Sequence, residues 1–389
     1  MKATKDLLVG VDEFTLVLQA KEKVDVMIWF GTVRIMLDRF LYLSKIESIF
    51  GTLNHSSEKK VVQGYTHGIF AENHPFYFVI CFHEYMQNMG LCIRFSSNAW
   101  AYFQAEYTSK YQSEMNVMRF LKMVQSNVDY TMRLSRIDFT ADYKNHGLNV
   151  DHIYQCLKSK KLHIRNWKLN RVNLNMSSVE KDGIAETIYL GSRKENSQGF
   201  LRIYDKRKEQ ISSHGFRMNE ALETNDWLRM EAVFKGKRAH QITTNLLNEV
   251  NNADELQQFI AQMITDKYLF FDVERDDVTD FTDELFAITQ GSDFSHLRTE
   301  SPRDNALKQS IRYLVTNAGL FPVIYKIAVL YGDEGVQEFW QYLQEQYQYY
   351  TPNRDTEIWL NKHWVTMLNQ PLSESLGTNR DVNSQVISD

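Results

Sequence analysis

Tyr204 stands in the run FLRIYDKRKE, with Arg202 two residues before it and Lys206 two residues after. A phenol with an ordinary pKa of about 10 is a poor nucleophile near neutrality. A guanidinium and an ammonium on either side favour the phenolate and also draw in a phosphate. Carboxylates recur nearby at strand spacing. In LSRIDFTADY, alternation sets Arg136, Asp138, Thr140 and Asp142 on one face and Ser135, Ile137, Phe139 and Ala141 on the other. In FLRIYDK, Leu201 and Ile203 back Arg202, Tyr204 and Lys206; in WLRMEAVFK, Leu228, Met230, Ala232 and Phe234 back Arg229, Glu231, Val233 and Lys235. A solvated face of an antiparallel sheet accounts for such polarity as well as a reactive site does. Crowded carboxylates repel, however, unless a cation sits among them, and hard divalent metals take oxygen clusters such as Asp138, Asp142 and Glu231 together with a substrate phosphate. The pattern alone leaves both readings open. Tyr189, on the polar face across an expected hairpin, is the rival to Tyr204.

The elements that must position these residues follow from periodicity. DEFTLVL, FYFVICFH and LCIRFS are strand-like, and KVDVMIWFGTVRIMLDRFLYL has helical spacing. AWAYFQAEYTSK and SEMNVMRFLKMVQSN predict two helices. MRLSRIDFTADYKN predicts a strand ending in an NHG turn, and VDHIYQCLKSKKL a helix whose basic end suits its dipole. AETIYLGSRKENSQGFLRIYDKRKE reads as a hairpin and DWLRMEAVFKGK as one more strand. Beyond residue 250 the pattern is helical in ADELQQFIAQMITDKYLF, DNALKQSIRYLVTNAG and GDEGVQEFWQYLQEQYQYY, with DVERDDVTDFTDEL an acidic irregular stretch. The expectation is an α+β fold. An antiparallel sheet with helices packed on one face spans 1–250, as an N-terminal lobe over 1–127 and a core over 128–250. A mainly helical region follows over 251–372, with a disordered tail at 373–389.

Composition narrows the class. At 389 residues the chain exceeds what one core usually organises, and 43% apolar with 24% charged residues is ordinary for a globular protein. No apolar run is long enough for a membrane span, and the N-terminus lacks the features of a signal peptide. Cys81, Cys92 and Cys156 fit reduced thiols in a cytoplasmic protein better than a disulfide framework. The net charge of −5 hides a segregation: residues 157–238 hold eighteen Lys/Arg against ten Asp/Glu, and 251–310 hold five against thirteen. Phosphate attraction is local, so Lys158, Lys160, Lys161, Arg165 and Lys168, with Arg193, Arg207 and Lys235 around the hairpin and strands, are the expected contacts to nucleic acid.

SRIDFTADY, TIYLGSRKENSQGFLRIYDKRKE and WLRMEAVFK, in this order and spacing, resemble the replication initiation factor family, which comprises rolling-circle plasmid initiators and related relaxases of integrative conjugative elements. The resemblance is sharpest over about 128–240. It implies origin-specific DNA nicking and strand transfer through a 5′-phosphotyrosine, with Tyr204 as nucleophile. Asp138, Asp142 and Glu231 would be Mg²⁺ or Mn²⁺ ligands; from their charge and facing, Arg202, Lys206, Arg229 and Lys235 would hold phosphates. It further implies origin DNA as partner, duplex and nicked single strand, together with a host helicase, and allows a homodimer. None of the eleven histidines forms the His-hydrophobe-His motif of better-known relaxases, so a carboxylate site is expected. A catalytically silent DNA-binding protein that retains the fold is the alternative.

Overall fold

The polar alternation noted above builds the centre of one large sheet. In the computed structural model, residues 4–289 and 320–352 are described, apart from 23, 57–58, 126–128, 165–171, 177–182 and 195–196, together with a few single positions outside these spans. Nine antiparallel strands are β1 (Asp6–Gln19), β2 (His67–Phe70), β3 (Phe78–Phe82), β4 (Leu91–Phe95), β5 (Thr131–Lys144), β7 (Val172–Met176), β8 (Ala185–Leu190), β9 (Gly199–Asp205) and β10 (Trp227–Lys235). Their order is β2-β3-β4-β1-β5-β10-β9-β8-β7. A small second sheet joins β6 (Leu162–Ile164), β11 (Phe270–Asp272) and β12 (Asp277–Val278), with β11 in the middle.

Alternation sends Phe14, Leu16, Phe95, Ile137, Phe139, Leu201, Ile203, Met230 and Phe234 to one face, where all are buried in a single core. Helices α1 (Val26–Ser44), α2 (Ile46–Phe50), α3 (Ser97–Tyr111) and α4 (Val117–Val124) supply Trp29, Phe40, Phe50, Phe103 and Phe120 to it. Several start on local caps: Asp25, Ser96 and Asn116 each accept a backbone N–H of the first turn. After α5 (Val150–Lys158), the short α6 (Lys206–Ser212) and α7 (Met218–Glu223) precede β10, and α8 (Lys237–Asn248) returns to the core.

Two irregularities decide which side chains share a face. Val11 pairs with Phe139 but Phe14 pairs with Ile137, so Asp12 and Glu13 together oppose Asp138 in a β-bulge. A second shift puts Thr15 opposite Arg136 and Leu16 opposite Leu134. Ser135 is therefore the extra residue of β5 against β1, and Leu134, fully buried, fills the core in its stead. Simple alternation had assigned that place to Ser135.

Helices α9 (Ala253–Lys267) and α10 (Asp280–Thr289) also join this body. Phe259, Ile260, Met263 and Ile264 of α9 lie in the same core as Phe139, whose ring meets that of Phe259 at 6.1 Å. The chain accordingly divides into compact units Met1–Arg298 and Thr299–Asp389, beyond the expected boundary at 250. Most of the stretch read as acidic and irregular belongs to β11, β12 and α10. In the second unit, α11 (Leu320–Gln348) is broken at Gly332, where φ is 69°, and buries none of its side chains. The expected helix over 304–319 lies almost entirely outside the described residues, and the expected tail lies wholly outside them. Cys81 and Cys92 are free thiols, buried and directly paired across β3 and β4. Among the described residues, no helix is long and apolar enough to cross a membrane.

Candidate active site on the polar face of the central strands

Strand register gathers the polar positions. Arg229 lies opposite Asp142 on β5 and Tyr204 on β9, and Glu231 lies opposite Thr140 and Arg202. This face is not solvated: Asp138, Thr140, Asp142, Tyr204, Lys206, Arg229 and Glu231 are all buried. Burying so many charges is costly unless each is paired, and here arginines do the pairing.

Asp142 is an anchor. Arg229 donates Nε to its Oδ1 at 2.6 Å and Nη2 to its Oδ2 at 2.7 Å, and Trp227 donates Nε1 to Oδ1 at 2.9 Å. Burial opposes the charge, but the Arg229 guanidinium and these hydrogen bonds hold the carboxyl below its ordinary value. Arg217, which precedes α7, adds a longer bond to Oδ2 at 3.4 Å and lies over the Trp227 ring. The other end of the Arg229 guanidinium reaches Asp12, which also accepts from Ser97 at 2.8 Å.

Asp138 is gripped by its strand neighbour Arg136 through both oxygens, with Nε at 2.9 Å from Oδ1. Arg136 also reaches Glu13, which accepts from Arg94 at 2.8 Å as well. Burial drives the Asp138 carboxyl well upward; Arg136 offsets this in part, and the charges of Glu231 and Glu13 add to it.

Glu231 accepts through Oε2 from Arg202, and the Tyr204 hydroxyl lies 3.5 Å from the same oxygen. Burial first, then the charge of Asp12, raises its pKa in spite of Arg202 and Arg229. The Tyr204 ring packs under the Arg202 guanidinium at 4.6 Å, with Lys206 Nζ at 5.7 Å. Burial pushes its phenol well above the ordinary value; Arg229 and Arg202 act against that rise, while Glu231 and Asp12 reinforce it. Lys206 opens α6, capped by Asp205, and pairs with Glu209 at 2.8 Å.

The expected catalytic and carboxylate residues thus share one cluster. Tyr189 lies opposite Arg202 on β8, and its ring is covered by Arg193 at 4.4 Å. The expected DNA-contacting cations are dispersed. Lys158 ends α5, Lys160 takes a left-handed turn just after it, and Lys161 pairs with Glu274 at 3.0 Å. Arg207 donates to the Thr224 carbonyl, and Lys235 ends β10 beside the Phe200 ring. Arg165 and Lys168 lie outside the described residues.

Periodicity did not single out Asp12, Glu13, Arg217 and Trp227. The signal for the first two was present: core positions Val9, Val11, Phe14, Leu16 and Leu18 step by two except once, by three, across Asp12-Glu13. Among the described residues, no three His, Cys, Asp or Glu side chains converge as a metal centre. Within the cluster, Glu231 Oε1 and Asp12 Oδ2 take no hydrogen bond from the described residues.

The family described as replication initiation factor matches residues 132–319, which bears out the resemblance carried by β5, the β8–β9 hairpin and β10. No curated protein matches the chain. Among solved structures, the chain is similar to a rolling circle replication initiator protein from Geobacillus stearothermophilus. That match has 15% identity and a TM-score of 0.49, and covers 73% of this chain and 97% of that one.

Proposed function

We propose that this protein initiates rolling-circle replication or conjugative transfer of a mobile element by nicking origin DNA through a phosphotyrosine on Tyr204. The observation that carries the reading is the Tyr204 hydroxyl beside the Glu231 carboxylate, within a ring of Arg202, Lys206 and Arg229. The Tyr204 oxygen attacks the phosphorus of one phosphodiester, and its proton passes to Glu231, whose raised pKa suits it to accept one. The bond from phosphorus to the 3′ oxygen breaks, and that oxygen leaves as a hydroxyl after taking up a proton. The 5′-phosphate stays on the tyrosine. Rejoining is the reverse step and needs no nucleotide triphosphate, because the phosphotyrosine keeps the energy of the broken bond. Arg202, Lys206 and Arg229 compensate the charge that gathers on the phosphate.

Mg²⁺ or Mn²⁺ belongs to this reading and would polarise the phosphate as a Lewis acid. Asp142 fits poorly as a ligand, since Arg229 and Trp227 occupy its oxygens, and Asp138 is held through both of its own by Arg136. The oxygens that fit are Glu231 Oε1 and Asp12 Oδ2, and one or two carboxylates completed by water and substrate phosphate suit Mg²⁺.

Supercoiled DNA carrying the origin of the protein's own element, incubated with Mg²⁺ or Mn²⁺, should yield nicked circles with protein attached. EDTA should stop the reaction. Tyr204→Phe should abolish the adduct while origin binding survives; a persisting adduct would assign the nucleophile elsewhere, with Tyr189 the first alternative.

A further inference from the structure

We infer that a groove along the unpaired edge of β1 receives one unstacked nucleobase of the cleaved strand beside the scissile phosphate; this rests on the nicking reading above. β5 pairs with β1 from Asp6 to Gln19, but β4 pairs with it only from Phe14 to Leu18. Before Phe14, β1 has a strand neighbour on one side alone among the described residues. Alternate backbone N–H and C=O groups of an antiparallel strand point to each side, so on the open side they remain available. Leu8, Val9, Gly10, Val11 and Asp12 of this stretch line a cavity of about 300 Å³ bounded by β1, the first turns of α3, and α6 with the turn that follows it.

The groove and the candidate site are continuous, since Asp12, Asp142, Lys206 and Arg229 line both. A strand whose phosphate met those cations would have its neighbouring base at the groove. The floor is made for close approach. A Cβ on Gly10 would meet only Thr140 Oγ1, at 3.7 Å, so a planar ring can lie against the backbone where any side chain would intrude. Strand-edge donors and acceptors match the Watson–Crick edge of an unpaired base, as do the amide of Asn98 and the side-chain carbonyl of Gln104, whose Nε2 is held by the Met115 carbonyl at 2.8 Å. Phe216, on the rim, is 59% exposed and offers a stacking surface. A peptide strand added to the same edge is disfavoured, because α3 stands at that flank, with Ser97 Oγ 2.8 Å from Asp12.

The test begins once the cleavage position has been mapped. Short single-stranded oligonucleotides spanning it, each with one abasic position, are titrated by fluorescence anisotropy against protein carrying Tyr204→Phe. One abasic position next to the cleaved bond should weaken binding about tenfold or more, which is the worth of one stacked base. Phe216→Ala and Gly10→Val, each added to Tyr204→Phe, should weaken the intact oligonucleotide similarly and cancel the penalty of that abasic position. Phe216 is exposed, so its variant keeps the test alive if Gly10→Val fails to fold. The inference is overturned if no position is sensitive, or if both folded variants keep the full penalty, as they would were the groove meant for a peptide. Failure of the nicking reading would show separately, as absence of any covalent adduct with the unsubstituted protein.

Discussion

Asp142 and Glu231 are buried carboxylates on one sheet face, yet their surroundings move them in opposite directions. Asp142 has a two-pronged arginine and an indole N–H; Glu231 has one arginine bond and the field of Asp12. Asp142→Asn leaves Arg229 without its main counter-charge, and breaking a buried pair from one side costs about 3–5 kcal/mol. Denaturant unfolding near neutral pH should show a loss of that order. Because the folded pKa of Asp142 lies below the ordinary 3.8, its contribution is whole above that value and is lost as pH falls through the depressed one. The gap between the two proteins should hold from neutral pH down to that range and then close. Glu231→Gln should slow adduct formation about 10²–10⁴-fold, the usual worth of a positioned base. In the unsubstituted protein the rate should rise with pH through a value above the ordinary 4.5, since burial and Asp12 raise the Glu231 pKa. Single-turnover pH profiles decide this: a Gln variant with an unaltered rise would remove Glu231 from the proton transfer.

At the scale of elements, the bulge at Asp12-Glu13 brings a second acid to the sheet face. Deleting Glu13 removes the extra residue, and the pairs on either side, Val11 with Phe139 and Phe14 with Ile137, can keep their register. The sheet should survive, as judged by circular dichroism and thermal unfolding. Nicking should fall about a hundredfold, because a shift of about 1 Å at a reacting group can cost that much. Bulges also explain what could and could not be read in advance. WLRMEAVFK alternates without interruption, and β10 spans that whole run, Trp227–Lys235, with its acid and cation on the expected face. MRLSRIDFTADYK alternates too, but against β1 it carries an extra residue of its own at Ser135, which offsets the extra residue of β1 at Asp12-Glu13, so Ser135 and Leu134 exchanged roles. The tyrosine and three carboxylates were legible because they sit on regular strand. The arginines that neutralise them were not assigned as partners, since side-chain pairing across strands depends on register. Arg217 and Trp227 depend further on where α7 returns.

The molecule as a whole uses its charge segregation internally. β11 pairs with β6, and Glu274 meets Lys161, so part of the acidic segment lies against part of the basic one. Charge reversal at Lys160, which no acid meets in this way among the described residues, should weaken binding to all DNA sequences alike and lower its salt slope. The core extends past residue 250 because α9 covers β5, and the first compact unit ends at Arg298. A fragment of residues 1–298 should therefore unfold cooperatively, whereas 1–250 should expose the core and aggregate; urea titration of the two separates these outcomes.

Asp12 and Arg229 touch across a separation of 217 residues, and the strands that carry them flank β5 in the middle of the sheet. During synthesis the N-terminal strand must wait, its bulged acids without their arginine, until β10 has left the ribosome. Helices α8 and α9, whose buried residues join the core on the apolar side of the sheet, emerge after it. On the proposed reading, a chain that stops before β10 lacks the Asp12–Arg229 contact and should form no adduct, so competence would arrive late and all at once.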